Sequence, residues 1–352
     1  MPSTGEQMAP RIAVDAMGGD FGPQVVVPGA VDAAREGIAV TLVGDEERIN
    51  AELAKLNTGG LDISVVHATQ VVEMDDKPAD ALRRKRDSSI QVACRLVKDG
   101  GADGVVSAGN SGATVACGMF VLGRIKGVLR PALAGIMPTE KTPVVLIDVG
   151  ANVDSKPQHL FQFGLMADVL ARYVLGVDNP SVGILSIGEE EGKGNATVRE
   201  SFDLLRESNL RFIGNVEGRD IFTGDVDVVV CDGFVGNVAL KLSEGLAKSM
   251  SSLLRKELTA SWLSKLGALL SLRAFKRFKK LVDYAEYGGA PLLGLKGVVI
   301  VAHGKSNELA VANCIRMAAT SVRNRTHEHL AEGLAAHKDI TGRNGRSDKD
   351  AA

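Results

Sequence analysis

Lys193 stands between Gly192 and Gly194, directly behind three carboxylates, Glu189 to Glu191. An ammonium so placed can neutralise a phosphate, or a charge that develops on oxygen during a reaction. The plainer reading is a solvated cation in a glycine-rich turn. The string GEEEGKGN has neither the P-loop spacing nor the Ser/Thr that holds magnesium, so ATP chemistry does not follow from it. His303, in AHGKSN, has the chemistry of a base or an anion ligand, or of a turn histidine bonded to backbone. Cys231, in CDGFVGN, is a candidate nucleophile toward a thioester, set against the commoner fate of a buried thiol. Arg83, Arg84, Lys85 and Arg86 form a basic run that is either a solvated face or a dock for an acidic protein or phosphorylated ligand.

These residues share a setting, because six strings dense in Gly and small polar residues each follow a short apolar run. DAMGGDFGP (Asp15–Pro23) brings Asp15, Gly18, Gly19 and Asp20 as candidate substrate contacts, and SAGNSGA (Ser107–Ala113) brings Ser107, Gly109, Asn110 and Ser111. DVGANVD (Asp148–Asp154) brings Asn152, and SIGEEEGKGN (Ser186–Asn195) ends on Asn195. CDGFVGN (Cys231–Asn237) brings Asp232, Gly236 and Asn237, and AHGKSN (Ala302–Asn307) brings His303, Lys305 and Ser306. Glycine in such loops lets a ligand approach the backbone closely. The loops at Ser107, Cys231 and Ala302 share a rhythm in which Asn or Ser opens a helix after Gly. Free N–H groups and a positive dipole end make such a helix start an anion site, although Gly and Asn also build ordinary turns.

The apolar runs must be the elements that position these loops. Ile12–Ala16, Ile38–Val43, Ile63–Val66, Gly104–Ser107, Leu133–Met137, Val144–Asp148, Val182–Ile187, Leu210–Ile213, Val226–Cys231 and Val298–Ala302 are short and rich in Val and Ile, as buried parallel strands are. Helical patterns such as Pro78–Lys98 and Asn237–Lys256 have the length of βαβ crossovers. The predicted fold is α/β, a doubly wound and largely parallel sheet in a Rossmann-like α/β/α sandwich. Ligands of such sheets sit beyond the carboxyl ends of the strands, so all six loops are expected along one edge.

Composition narrows the function. The chain has 352 residues, 45% of them hydrophobic, enough for a real core. With 41 Lys+Arg against 43 Asp+Glu and 4% aromatic residues, it has neither the field nor the stacking surfaces of a nucleic-acid binder. Cys94, Cys117, Cys231 and Cys314 lie far apart without a CxxC pair, which argues against a zinc site and for a reducing, cytoplasmic compartment. No GxGxxG follows the first strand and no GxSxG is present, so neither a nicotinamide cofactor nor a serine hydrolase is indicated. No secretory signal or membrane span is read. One domain is expected over residues 11–334, with disordered tails at 1–10 and 335–352. Within it, segment 253–282 departs from the rest: Arg255 to Lys280 carries eight Lys/Arg against Glu257 alone. Leu258, Trp262, Leu266 and Leu269 recur at helical spacing. That stripe is either a packed interface or a projecting, reversible anchor on anionic lipid, with Trp262, Leu266 and Leu269 as membrane contacts.

The strings MGGDFGP, DSS, SAGNSGA, DVGANVD, GEEEGKGN, GNVEGRD, DGFVGNVALK, YGGAPLLGLKG and AHGKSN, in that order, resemble the bacterial phosphate acyltransferase family often called PlsX, over about Arg11 to Leu334. The resemblance implies transfer of a long-chain acyl group from acyl carrier protein to inorganic phosphate, without metal or other cofactor. It also implies a homodimer, cytoplasmic with peripheral membrane association, feeding a glycerol-3-phosphate acyltransferase. The implied fold is that of the phosphotransacetylase and isopropylmalate dehydrogenase group. A thioester is already activated, so the protein need supply only position and charge stabilisation for direct attack by phosphate. Helix-start N–H groups at Asn110–Ser111 and Asn237, with Lys193 and His303, are the expected catalytic groups. Two other readings stay open: a phosphate acetyl- or butyryltransferase using CoA thioesters, and a non-catalytic membrane-surface scaffold that binds acyl carrier protein.

Overall fold

The computed structural model describes residues 9–282 and 287–337, the side chains of 279, 280 and 282 excepted. Most of the two expected tails, residues 1–8 and 338–352, lies outside the described residues. Among the described residues eleven strands make one sheet: β1 (Arg11–Asp15), β2 (Ala39–Gly44), β3 (Ile63–His67), β4 (Gly104–Ser107), β5 (Ala132–Met137), β6 (Val144–Ile147), β7 (Ser181–Leu185), β8 (Arg211–Val216), β9 (Val228–Val230), β10 (Ala290–Leu293) and β11 (Val298–Val301). Around it lie α1 (Pro23–Ala34), α2 (Glu46–Leu53), α3 (Pro78–Arg84), α4 (Ser89–Lys98), α5 (Ser111–Cys117), α6 (Pro157–Tyr173), α7 (Ala196–Arg206), α8 (Gly233–Thr259), α9 (Trp262–Leu270), α10 (Leu272–Val282), α11 (Glu308–Arg323) and α12 (Thr326–Ala336).

The strand order is β3-β2-β1-β4-β11-β10-β5-β6-β9-β7-β8. Pairing is parallel from β3 through β11, and again from β6 through β8. Between these blocks β10 is antiparallel to both β11 and β5, and β5 is antiparallel to β6. The sheet is therefore largely parallel, as predicted, but three reversals leave its two blocks running in opposite senses. The expectation that all six loops share one edge is corrected by that inversion. Loops after β1, β4 and β11 leave one block, and loops after β6, β7 and β9 leave the other.

Side-chain alternation divides the core into layers. Ile12 and Val14 face Val27 of α1 and Ile315 of α11, whereas Ala13 faces Ala93 and Cys94 of α4. In the second block α6 packs under the strands, opening on Pro157 at its first position, where a missing N–H costs nothing. Its Phe161, Phe163 and Met166 are fully buried, each contributing roughly 1.5–3 kcal/mol relative to exposure. The helix predicted over Pro78–Lys98 is two helices. Between them Lys85 turns back to bond the Val71 carbonyl at 2.8 Å and the Asp76 carboxylate at 2.5 Å. At the carboxyl side α12 runs to Ala336, and buried His337 sets its ring edge-on to Phe161.

α8 leaves the body after its first two turns, and its only buried residues are Gly233 and Gly236. Leu242, Leu246, Met250 and Leu253 are all exposed along it. The predicted four-residue stripe is interrupted, because α8 ends at Thr259 and Ser261 caps a new helix, accepting from the Ser264 N–H at 3.1 Å. Leu258 thus belongs to α8, while Trp262, Leu266 and Leu269 share one face of α9, with Trp262 73% exposed. No helix among the described residues is long and apolar enough to cross a membrane.

Candidate active site

Contacts among the strand-end loops gather them into three groups. In the first, Asp15 ends β1 and is buried. Ser107, at the end of β4, donates its hydroxyl to Asp15 Oδ2 at 2.7 Å and accepts from the Gly109 N–H at 3.1 Å. A side chain at Gly18 would lie 2.7 Å from the Gly109 nitrogen, so only glycine lets these two loops meet. Burial pushes the Asp15 carboxyl above its usual range, partly offset by hydrogen bonds from Ser89, Ser107, Met17 and Gly18. The Asp20 N–H donates to the Gly304 carbonyl at 2.8 Å, and Gly19 packs against the same carbonyl, which joins the loop after β11 to this group.

Asn110 caps α5, as predicted, accepting from the Ala113 N–H at 3.0 Å. Its Nδ2 also donates to the carbonyls of Met74 at 3.0 Å and Asp76 at 2.9 Å. The side chain is thus committed to structure, and a ligand at this loop would meet the Ser111 side of the helix start. His303 Nδ1 accepts from the Lys305 N–H at 3.0 Å. That bond places the proton of the neutral tautomer on Nε2. Lys305 is exposed, and Ser306 is buried with its hydroxyl unbonded among the described residues.

The second group centres on Asp148, fully buried at the end of β6. Its carboxylate accepts from the N–H groups of Leu133, Ala151 and Asn152 at 2.9, 3.1 and 2.6 Å, and from Asn152 Nδ2 at 2.9 Å. Asn152, a predicted substrate contact, is spent on this scaffold and on the Pro131 carbonyl. Asn237 does not open a helix: α8 begins at Gly233, and Asp232 is the cap, accepting from the Phe234 N–H at 2.9 Å. Gly233 and Gly236 allow the helix to start against Asp148 and Asn152, where a side chain at Gly233 would lie 2.1 Å from the Asn152 oxygen. One turn into α8, Asn237 faces Gly150 with its side-chain amide unbonded among the described residues. Cys231 is buried against the Asp148 carbonyl, its thiol held far above the ordinary range by burial and then by Asp148 and Asp232. Burial and the two neighbouring carboxyls disfavour its thiolate.

In the third group Asn195 caps α7, accepting from the Val198 N–H at 2.9 Å. Two of the three glutamates before Lys193 are drawn aside, Glu189 to Arg219 at 3.2 Å and Glu191 to Arg206 at 3.3 Å. Lys193 is left exposed, with no carboxylate partner among the described residues. Ala151, after Asp148, packs on the buried cluster that also holds Ala113 and Cys117 of α5.

The string DVGANVD points to Asn152 and not to Asp148 as the site residue. A carboxylate ahead of Gly-Ala-Asn is a signal for a loop folded around it. The segment that covers Asn110, including Met74, carried no such signal. No cluster of three or more His, Cys, Asp or Glu among the described residues could hold a metal.

A family model described as a fatty acid synthesis protein matches residues 10–329. The chain is 63% identical over 332 residues to a phosphate acyltransferase of Nitratidesulfovibrio vulgaris, covering 94% of this chain and 96% of that one. It is 60% identical over 333 residues to a phosphate acyltransferase of Lawsonia intracellularis, with the same coverage. A phosphotransacetylase from Streptococcus pyogenes shares the fold at a TM-score of 0.63 and 19% identity, covering 90% of this chain and 95% of that one. With the family model spanning residues 10–329 and relatives this similar, the chain belongs to the fatty acid synthesis protein family and is a phosphate acyltransferase.

Proposed function

We propose that the chain, a phosphate acyltransferase, takes a long-chain acyl group from acyl carrier protein and places it on inorganic phosphate by direct attack. A phosphate oxygen forms a bond to the thioester carbonyl carbon, and the tetrahedral intermediate collapses with loss of the C–S bond. The proton of the attacking phosphate goes to the departing thiolate, giving acyl phosphate and free carrier thiol. Lys193 and the Asn237 amide stabilise the oxyanion and the leaving group, and His303 donates from Nε2 to phosphate oxygen. The observation that supports direct attack is Cys231, the one thiol at these loops, which is buried and held protonated.

The enzyme works as a homodimer that touches the membrane reversibly through α9, where Trp262, Leu266 and Leu269 are exposed beside Lys265. Release there would pass acyl phosphate to a glycerol-3-phosphate acyltransferase. The test incubates purified protein with palmitoyl-carrier protein and phosphate and traps product as the hydroxamate. Product from the carrier substrate supports the reading, product from acetyl- or butyryl-CoA alone replaces it with a short-chain transferase, and absence of product leaves a scaffold.

A further inference from the structure

Three nitrogen-bearing side chains that this mechanism does not use lie about the first turns of α6. The segment before β5 is pinned there, since Gln162 accepts from the Leu129 N–H at 2.9 Å and donates to the Gly127 carbonyl at 2.9 Å. Asn152 holds the Pro131 carbonyl at 2.8 Å. Between those ties Arg130 is exposed, near enough, with Lys156, for both charges to act on His159. His159 Nδ1 accepts from the Lys156 N–H at 3.2 Å, which leaves Nε2 to carry the proton of the neutral ring, and the half-buried ring stacks on Phe163.

The helix start itself offers little, because Pro157 has no N–H and the Lys156 N–H is already used. What gathers here is side-chain chemistry. Neither Arg130 nor Lys156 has a carboxylate within ion-pair distance among the described residues. Of the neighbouring acids, Asp148 is held by the N–H groups around it and Asp232 by the N–H groups of Ser155 and Phe234, while Asp154 is exposed. Burial, then the two cations, hold His159 below its ordinary value, so the imidazole is neutral and its surroundings positive.

We propose that Arg130, Lys156 and His159 form a phosphoryl-binding site at the edge of the second loop group. A guanidinium fork can take two phosphoryl oxygens, the ammonium a third, and the imidazole N–H completes the set. The site rests on the acyl-transfer reading and assigns where that reaction holds a phosphoryl group. The acceptor phosphate and the phosphodiester of a carrier's pantetheine arm share this chemistry.

The experiment follows the His159 ring protons by NMR in full-length protein with labelled histidine, the signal being identified with His159→Gln. Inorganic phosphate and pantetheine 4′-phosphate are titrated separately against chloride at matched ionic strength. A saturable shift with inorganic phosphate identifies the acceptor subsite; a shift with pantetheine phosphate alone identifies the donor arm. In either case Arg130→Ala with Lys156→Ala abolishes the shift at unchanged melting temperature and raises KM for the corresponding substrate on the order of 10-fold. No shift with either probe, or a shift that survives the double substitution, overturns the site. Turnover of palmitoyl-carrier protein by wild type is scored alongside. Turnover without the shift rejects this site alone, whereas the shift without turnover rejects the acyl-transfer reading.

Discussion

The Ser107 hydroxyl donates to the buried Asp15 carboxylate across 2.7 Å, tying the end of β4 to the end of β1. Burial raises the Asp15 pKa above 3.8 despite that bond. A carboxyl raised in the folded state favours folding when protonated. Its contribution is therefore complete below 3.8 and is lost as pH rises through the raised folded value. Urea unfolding across acidic to neutral pH should show this loss in wild type and a flatter profile in Asp15→Asn. Ser107→Ala removes a donor to the charged form, so it should move the loss to higher pH. Identical pH profiles in all three proteins would contradict the assignment.

Lys193 is exposed and free of the glutamates that precede it, two of which pair with Arg206 and Arg219. Its ammonium should therefore act in the transition state and not in folding. Lys193→Ala should raise the barrier by about 2–4 kcal/mol, with the melting temperature unchanged. Steady-state kinetics beside calorimetry check both halves, and near-normal turnover would remove Lys193 from the centre.

Asp232 and Asn237, one turn apart, should separate stability from activity. Asp232→Ala removes the α8 cap and should cost about 1 kcal/mol of stability. Asn237→Ala should leave the melting temperature in place and lower kcat. A stability loss confined to Asn237→Ala would restore it as the helix opener.

Replacing Trp262 and Leu266 by Glu should abolish flotation with anionic vesicles while soluble activity and dimer mass persist, because both side chains are exposed. If the change splits the dimer, that face is an interface between copies.

The strands were legible because buried Val- and Ile-rich runs bounded by Gly carry their own signal, and the Asn110 cap followed from local turn chemistry. β10 was not legible: Ala290–Leu293 is four residues containing Pro291, inside a glycine-rich string. Missing it hid the inversion of the sheet, since strand polarity depends on every strand between the blocks. Asn237 looked like a cap because Gly236 precedes it. Helix α8 begins earlier because Gly233 and Gly236 fit against Asp148, a contact 83 or more residues away that local spacing does not encode. The unbonded Asn237 amide and the pairing of Glu189 and Glu191 are likewise tertiary facts.

The central claim is that phosphate attacks the carrier thioester without an acyl-enzyme, and a single-turnover experiment tests it most directly. Enzyme in excess is mixed with radiolabelled palmitoyl-carrier protein, first without phosphate and then with it, and quenched in acid. With direct attack, label stays on the carrier until phosphate is added, then passes to acyl phosphate, in wild type and in folded Cys231→Ala alike. Label that moves onto the enzyme before phosphate arrives, and fails to do so in Cys231→Ala, would contradict it.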